Sequence, residues 1–414
     1  MTRVSPPLAG APHGQLVAGG EPFVFHCNHY NYWLQKVVLL VDDLGMEDVC
    51  RDAAASSAYA TIEAASRELG LETPQERLEL ASGFFSQHGF GTVDWSGLTA
   101  EGGQVKTPTS HYGQCLGICA GIKDFGRAQN IFDQGFAAGA AAAAYGLSAG
   151  SLAATGVSCH STGADLGVIS LAPREVPADF FVSPGIGAKP CAEVPPPNSD
   201  TKVDEASILA ALATLDFSGN EEGMIPRFGV LLTLHFANYY NRISYEFLRR
   251  MAHTGMTKYA EELLVDAGHH CAFNTFGGIM VSAEWGAVIE PQCQTKEDWV
   301  HGMVAVVNAL GWGVWRVAEL SPDKLVIRIY DGYESRGYIG MYGESEAPVS
   351  YLAQGGVAGI MNLLYVGDIR EKPSLDDEYY TQIFDSPQSF VASYIDSRAS
   401  GASYTEIVAE RRPS

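Results

Sequence analysis

Positive charge is scarce in this chain. There are 26 Lys and Arg against 48 Asp and Glu, a formal net charge of -22. Such a surface repels phosphate backbones, and no basic patch offsets it, so nucleic-acid binding is not expected. The same field disfavours anionic membrane surfaces. Cysteine is sparse as well, with eight in 414 residues, too few for a disulfide scaffold. The expected state is therefore reduced and cytoplasmic, with thiols free for metal binding, catalysis or burial. Long apolar runs are missing too. Windows 36–41 and 228–236 are too short to span a bilayer, and 135–154 is rich in Ala and Gly and only weakly hydrophobic. The first twenty residues lack the apolar stretch of a signal peptide.

Several catalytic signatures are also missing. There is no phosphate-cradling Gly-x4-Gly-Lys-Ser/Thr loop and no Gly-x-Ser-x-Gly elbow. Residues 113–121 hold three glycines without the strand-to-helix context of a dinucleotide site. No paired carboxylates stand out.

What the chain does have is internal repetition. Gln134, Gly135, Ala138, Gly139 and Tyr145 recur at the same spacing as Gln354, Gly355, Ala358, Gly359 and Tyr365. Gly89-Phe90-Gly91 precedes the first block and Gly311-Trp312-Gly313 the second. Asn28-His29-Tyr30-Asn31 answers to Asn238-Tyr239-Tyr240-Asn241, and Asp52-Ala53 to Asp266-Ala267. Four blocks in one order indicate two homologous domains in tandem. Each reads as helices followed by an antiparallel sheet, an α+β class, with the pair expected to form a pseudo-dimer. The two Gly/Ala helix faces, Gly135-Ala138-Gly139 and Gly355-Ala358-Gly359, are expected to pack against each other. The boundaries are a leader over 1–22, domain one over 23–172, a Pro-rich linker and short helix over 173–227, a degenerate second repeat over 228–368, and a polar tail with helical stretches over 369–414.

The chemistry is concentrated in domain one. It holds His26-Cys27-Asn28-His29, then His111, Cys115 and Cys119, then Cys159-His160. Cys with His is the ligand set of zinc, iron or copper. Aligned on the asparagines, His26, Cys27 and His29 become Phe236, Ala237 and Tyr239, although His235 lies one position away, and the Cys115–Cys119 segment becomes 336–342, without Cys or His. This asymmetry predicts a site in domain one. Its metal ligands would come from His26, Cys27, His29, Cys115, Cys119 and Cys159, holding iron or zinc, and Cys27 and His29 would be catalytic. Tyr30, Tyr32, His111 and Tyr112 would line the substrate. The plain alternative is that each Cys is a core filler. His269-His270-Cys271 is left open, as a contribution to a two-domain site or a partly buried helix face.

The segment Phe132-Asp133-Gln134-Gly135-Phe136-Ala137-Ala138-Gly139, continuing to Cys159-His160-Ser161-Thr162-Gly163, resembles the 4-vinyl-reductase-like, hydrocarbon-binding domain. Residues 354–365 resemble it more faintly. The resemblance implies an α+β fold with a hydrophobic interior pocket and a small-molecule ligand. Sensor members of that family hold zinc through a Glu-x2-Cys-x7-Cys pattern. Here Cys159 matches the first Cys, while Gly156 and Gly167 stand where the Glu and last Cys would be.

Three functions follow: a metalloenzyme acting on a small, partly apolar organic substrate, a non-catalytic carrier or sensor of such a molecule, and a thiolate enzyme using Cys27. A small-molecule ligand is the expected partner, without nucleic acid or membrane, and a homodimer is left open.

Overall fold

The structure is a computed structural model describing residues 9–10, 14–122, 124–198 and 201–412. It is α+β. The first half runs β1 (Ala9–Gly10), β2 (Leu16–Ala18), β3 (Glu21–Cys27), α1 (Asn28–Val38), α2 (Met46–Glu68) and α3 (Pro74–Gln87). It continues through β4 (Gly91–Thr99), β5 (Gly102–Ser110), α4 (Leu116–Ala120), α5 (Ile131–Ala144), β6 (Leu152–Ser158) and β7 (Gly167–Pro173). Helix α6 (Glu205–Leu212) lies between the halves. The second half runs β8 (Ile225–Arg227), β9 (Val230–Phe236), α7 (Ala237–His253), α8 (Thr257–Cys271), α9 (Gly277–Val281), α10 (Ala283–Val288) and α11 (Lys296–Ala309). It ends with β10 (Val314–Ser321), β11 (Lys324–Tyr330), α12 (Tyr333–Tyr342), α13 (Tyr351–Met361), α14 (Asp377–Phe384), β12 (Phe390–Asp396) and β13 (Thr405–Arg411).

Local signals explain the boundaries. Thr73 caps α3 in a reciprocal capping box with Glu76, and Pro74 opens the first turn. Thr295 and Asp298 do the same for α11. At the β4–β5 hairpin Gly103 has φ +139, and a Cβ there would sit 2.2 Å from the Gly97 carbonyl oxygen.

Each half has its own four-stranded antiparallel sheet, in the orders β4-β5-β7-β6 and β10-β11-β13-β12. The two orders match strand for strand. A third sheet, β1-β2-β3-β9-β8, joins the halves. Its centre is the antiparallel pair β3 and β9, with Phe25 opposite Leu234. Exchanging the halves leaves this register unchanged: Phe23↔Phe236 becomes Cys27↔Leu232, and Val24↔His235 becomes His26↔Thr233.

The exchange extends further. Phe25 N–H donates to Leu310 O and Leu234 N–H to His88 O, both at 2.9 Å. Gly313 N–H donates to Gly14 O at 3.2 Å, and Gly91 N–H to Gly223 O at 3.0 Å. Each half's N-terminal hairpin thus docks on the other half. The apolar core is continuous across the join, with Phe23, Phe84, Phe236 and Trp312 in one buried cluster.

Two expectations are corrected. The small-residue faces of α5 and α13 do not meet. A Cβ on Gly135 would lie 2.1 Å from Arg51 O in α2, and one on Gly355 2.4 Å from Val265 O in α8. The glycines let each helix approach its own half's neighbour. Residues 390–411, read as part of a polar tail with helical stretches, instead form β12 and β13. Strand β13 pairs with β11 through Leu325↔Ala409 and Ile327↔Ile407, so this segment completes the second sheet.

Candidate functional site

Strand β3 delivers His26 and Cys27 into the join between the halves, where both are fully buried. His26 Nε2 is hydrogen-bonded to the Tyr333 hydroxyl at 3.3 Å, and its Nδ1 lies 3.8 Å from the Cys271 thiol. Its ring packs on Tyr30 at 4.3 Å and Trp312 at 4.8 Å. Burial holds the imidazole well below its usual pKa, so it is neutral. The Cys27 thiol sits 2.8 Å from Thr275 Oγ1, which also contacts Cys271 at 3.6 Å. Burial pushes the Cys27 thiol up, which works against a thiolate there.

The other predicted residues lie around this point without closing on it. His29, at the start of α1, is pushed down to about 4 by burial. Asn28 brings the two cysteine-bearing segments together: its Nδ2 donates to Cys119 Sγ at 2.9 Å and to Cys115 O at 3.5 Å. Cys115 faces Met224 at 3.8 Å, and burial raises its thiol to about 12. Cys159 pairs with the Ser161 hydroxyl at 3.1 Å, after β6. Tyr30 is buried against His26, while Tyr32 is half-buried beside Trp33 and Phe125. Asn31 Nδ2 donates to His111 Nε2 at 3.0 Å, and burial lowers His111 to about 3. The Tyr112 hydroxyl meets His235 Nε2 at 3.0 Å. Among the described residues, no group of three or more His, Cys, Asp or Glu is placed to hold a metal ion.

The twin of His26 is therefore His235. Each histidine is the last but one residue of a strand of one half and is paired with the tyrosine that follows the sheet hairpin of the other half. The copy-to-copy contrast on which the site rested is thus smaller than alignment on the asparagines made it. Cys27, opposite Phe236 by strand position, remains different. Sequence reading missed Thr275, Trp312 and Tyr333 as partners. Aligning the strand ends would have exposed the His26–His235 equivalence.

His269 and His270 on α8 are partly buried. His270 stacks between Trp33 at 3.7 Å and Tyr380 at 4.3 Å, tying α1 to α14.

A separate cavity of about 700 Å³ opens beneath α6. Phe25, Leu212, Phe217 and Leu310 form its apolar walls. Glu205, Asn308 and Arg316 form a polar edge, with Arg316 Nη1 3.2 Å from Glu205 Oε2 and Asn308 Nδ2 3.2 Å from Glu205 Oε1. No described helix is long and apolar enough to cross a membrane.

No protein-family model and no curated protein matches this chain. Among solved structures it is similar to the phenol-responsive sensory domain of the transcription activator PoxR with phenol. The identity is 13% and the TM-score 0.36, over 50% of this chain and 89% of that domain. A likeness at this level carries no argument about ligand or function.

Proposed function

We propose that the protein is a fused pair of homologous repeats that binds a small, largely apolar molecule in the cavity beneath α6, without catalysis. The observation that carries this reading is the cavity itself: about 700 Å³, apolar on its walls, with one localised polar edge at Glu205, Asn308 and Arg316. Pockets of this size and lining are typical of small-molecule sites, where apolar walls supply affinity and a few polar groups fix orientation. The Cys/His group fits a structural role better than a catalytic one. His26, Cys27, His111, Cys115 and Cys159 are buried and His29 and Cys119 partly so, burial lowers the pKa of His26, His29 and His111, and the thiols of Cys27, Cys119 and Cys159 contact Thr275, Asn28 and Ser161.

Titration with the neutral apolar dye Nile red tests this. Wild type enhances its fluorescence, and Ala309→Trp, which fills the cavity from the end of α11, abolishes the effect. Equal enhancement by both proteins contradicts the cavity assignment.

A transition-metal site using His26 and Cys271, beside Cys27, is the second reading. It is supported by one contact, the 3.8 Å approach of Cys271 Sγ to His26 Nδ1, close to the spacing of two ligands sharing one ion. Stoichiometric iron or zinc in wild type that is lost in Cys271→Ser would favour it.

A further inference from the structure

Helices α3 and α11 are counterparts. Each is 14 residues long and opens on a capping box. The residue after each gives its carbonyl to the other half: Leu234 N–H donates to His88 O and Phe25 N–H to Leu310 O. Gln87 therefore corresponds to Ala309, and Ser86 to Asn308. The two C-terminal ends meet different surroundings. At the end of α3 the loop between α6 and β8 closes the helix. Gly219 N–H donates to Gln87 O at 3.0 Å, and a Cβ on Gly219 would lie 1.8 Å from Ser86 O. A backbone amide is thus wedged against the last turn of α3.

The end of α11 faces the cavity beneath α6 instead, with Asn308, Ala309 and Leu310 in its lining. Among the described residues nothing donates to Ala309 O. The last carbonyls of a helix have no partner within the helix, so a donor for this one must come from outside it. The cavity stands where the first half places the amide of Gly219.

A group of opposite kind lies at the same edge. Arg316 Nε donates to Pro195 O at 2.9 Å, and its Nη1 to Trp315 O at 2.8 Å and to Glu205 Oε1 and Oε2 at 3.3 and 3.2 Å. Among the described residues its Nη2 has no acceptor. The arginine is held close to the helix end, because Asn308 Nδ2 donates to the same Glu205 Oε1 at 3.2 Å. The Asn308 amide is itself occupied, donating also to Trp315 O and accepting from Trp315 N–H. The cavity edge is left with one acceptor, Ala309 O, and one donor, Arg316 Nη2.

Resting on the cavity assignment above, we infer that the ligand beneath α6 carries an uncharged carboxamide head on its apolar body. The N–H of the head donates to Ala309 O, its carbonyl accepts from Arg316 Nη2, and the body lies against Phe25, Leu212 and Phe217. The first half supplies the precedent, since a peptide amide is what the equivalent helix end accepts. A carboxylate head has no donor for Ala309 O and meets Glu205, while an ammonium head meets the Arg316 cation. A site whose polar groups are paired only by the right head rejects analogues that leave one unpaired.

Displacement of Nile red from the full chain by hexanamide and by 2-heptanone, its isostere without the N–H, tests the inference. The ketone is the more apolar probe, so burial alone favours it. Wild type is expected to bind hexanamide about tenfold more tightly than 2-heptanone, the order set by leaving one polar group unpaired. Arg316→Lys keeps a cation opposite Glu205 and removes the second guanidinium nitrogen. It should weaken both probes severalfold and leave their ratio in place, with far-UV circular dichroism and the thermal midpoint confirming the fold. The wild-type ratio decides alone if that variant does not fold. Equal binding of the two probes, or tighter binding of the ketone, by protein that still enhances Nile red would overturn the carboxamide head and leave the cavity standing. Unchanged affinity for both probes in folded Arg316→Lys would overturn the contact to Arg316. No enhancement of Nile red by wild type would overturn the cavity assignment and this inference together.

Discussion

Tyr112 and His235 are hydrogen-bonded at 3.0 Å across the join between the halves, and exchanging the halves turns this pair into Tyr333 and His26 at 3.3 Å. All four side chains are buried. Each pair links a strand of one half to the sheet hairpin of the other, so the polar core of the molecule is built from contacts neither half makes alone.

Removing one hydroxyl strands a buried imidazole nitrogen. Tyr112→Phe is expected to lower stability by about 1–3 kcal/mol, the cost of an unsatisfied buried polar group. Tyr333→Phe should behave alike. Urea unfolding monitored by tryptophan fluorescence gives the number, and a neutral Tyr112→Phe would show that the pair contributes nothing.

The buried histidines set the acid limit. His88 and His111 are pushed to about 3 by burial, from an ordinary value of 6.5. The unfolded chain therefore binds more protons below pH 6.5, and stability falls as pH drops from there toward 3. At pH 5 each costs about 2 kcal/mol relative to neutral pH. Thermal midpoints between pH 7 and 5 should fall, and His111→Gln should flatten the slope. An unchanged slope in that variant would place the acid sensitivity elsewhere.

The carboxyls act in the opposite direction. Burial raises Asp133 from 3.8 to about 7, with Ser110 as its hydrogen-bond partner. A raised folded value means its contribution is full below pH 3.8 and is lost as pH climbs to 7. Asp133→Asn should gain clearly more stability relative to wild type at pH 8 than at pH 5. Equal differences at both pH values would mean Asp133 is ionised throughout.

Gly135 and Gly355 are expected to be intolerant of any side chain. A Cβ would enter within 2.1 Å and 2.4 Å of backbone carbonyls on α2 and α8. Gly135→Val should cost about 2 kcal/mol or more through forced backbone separation. Soluble, equally stable Gly135→Val protein would mean the helices separate freely.

The same glycines show what sequence alone conveys. Their spacing marks the repeat and close helix approach, but a small face does not name its partner, and the partner lies within the same half. The α+β class follows from helical segments preceding turn-bounded strands. Strands β12 and β13 escaped because Glu406, Glu410 and Arg411 alternate with Ile407 and Ala409, so a half-buried strand reads as polar tail. His235, one position from the aligned site, does not read as the twin of His26 because α1 begins at Asn28 whereas α7 begins at Ala237, one residue before Asn238. Alignment on the asparagines therefore slips the strands by one position, which in a strand swaps the two faces. The thiols looked unclaimed because Thr275, the partner of Cys27, is far from it in sequence.

The most direct test is native mass spectrometry of wild type and Ala309→Trp, each compared with its denatured mass. The account predicts that wild type carries a small non-covalent adduct of organic, metal-free composition, released on denaturation and absent from the cavity-filled variant. An adduct retained by Ala309→Trp, or one that proves to be a metal ion lost with Cys271→Ser, would contradict it.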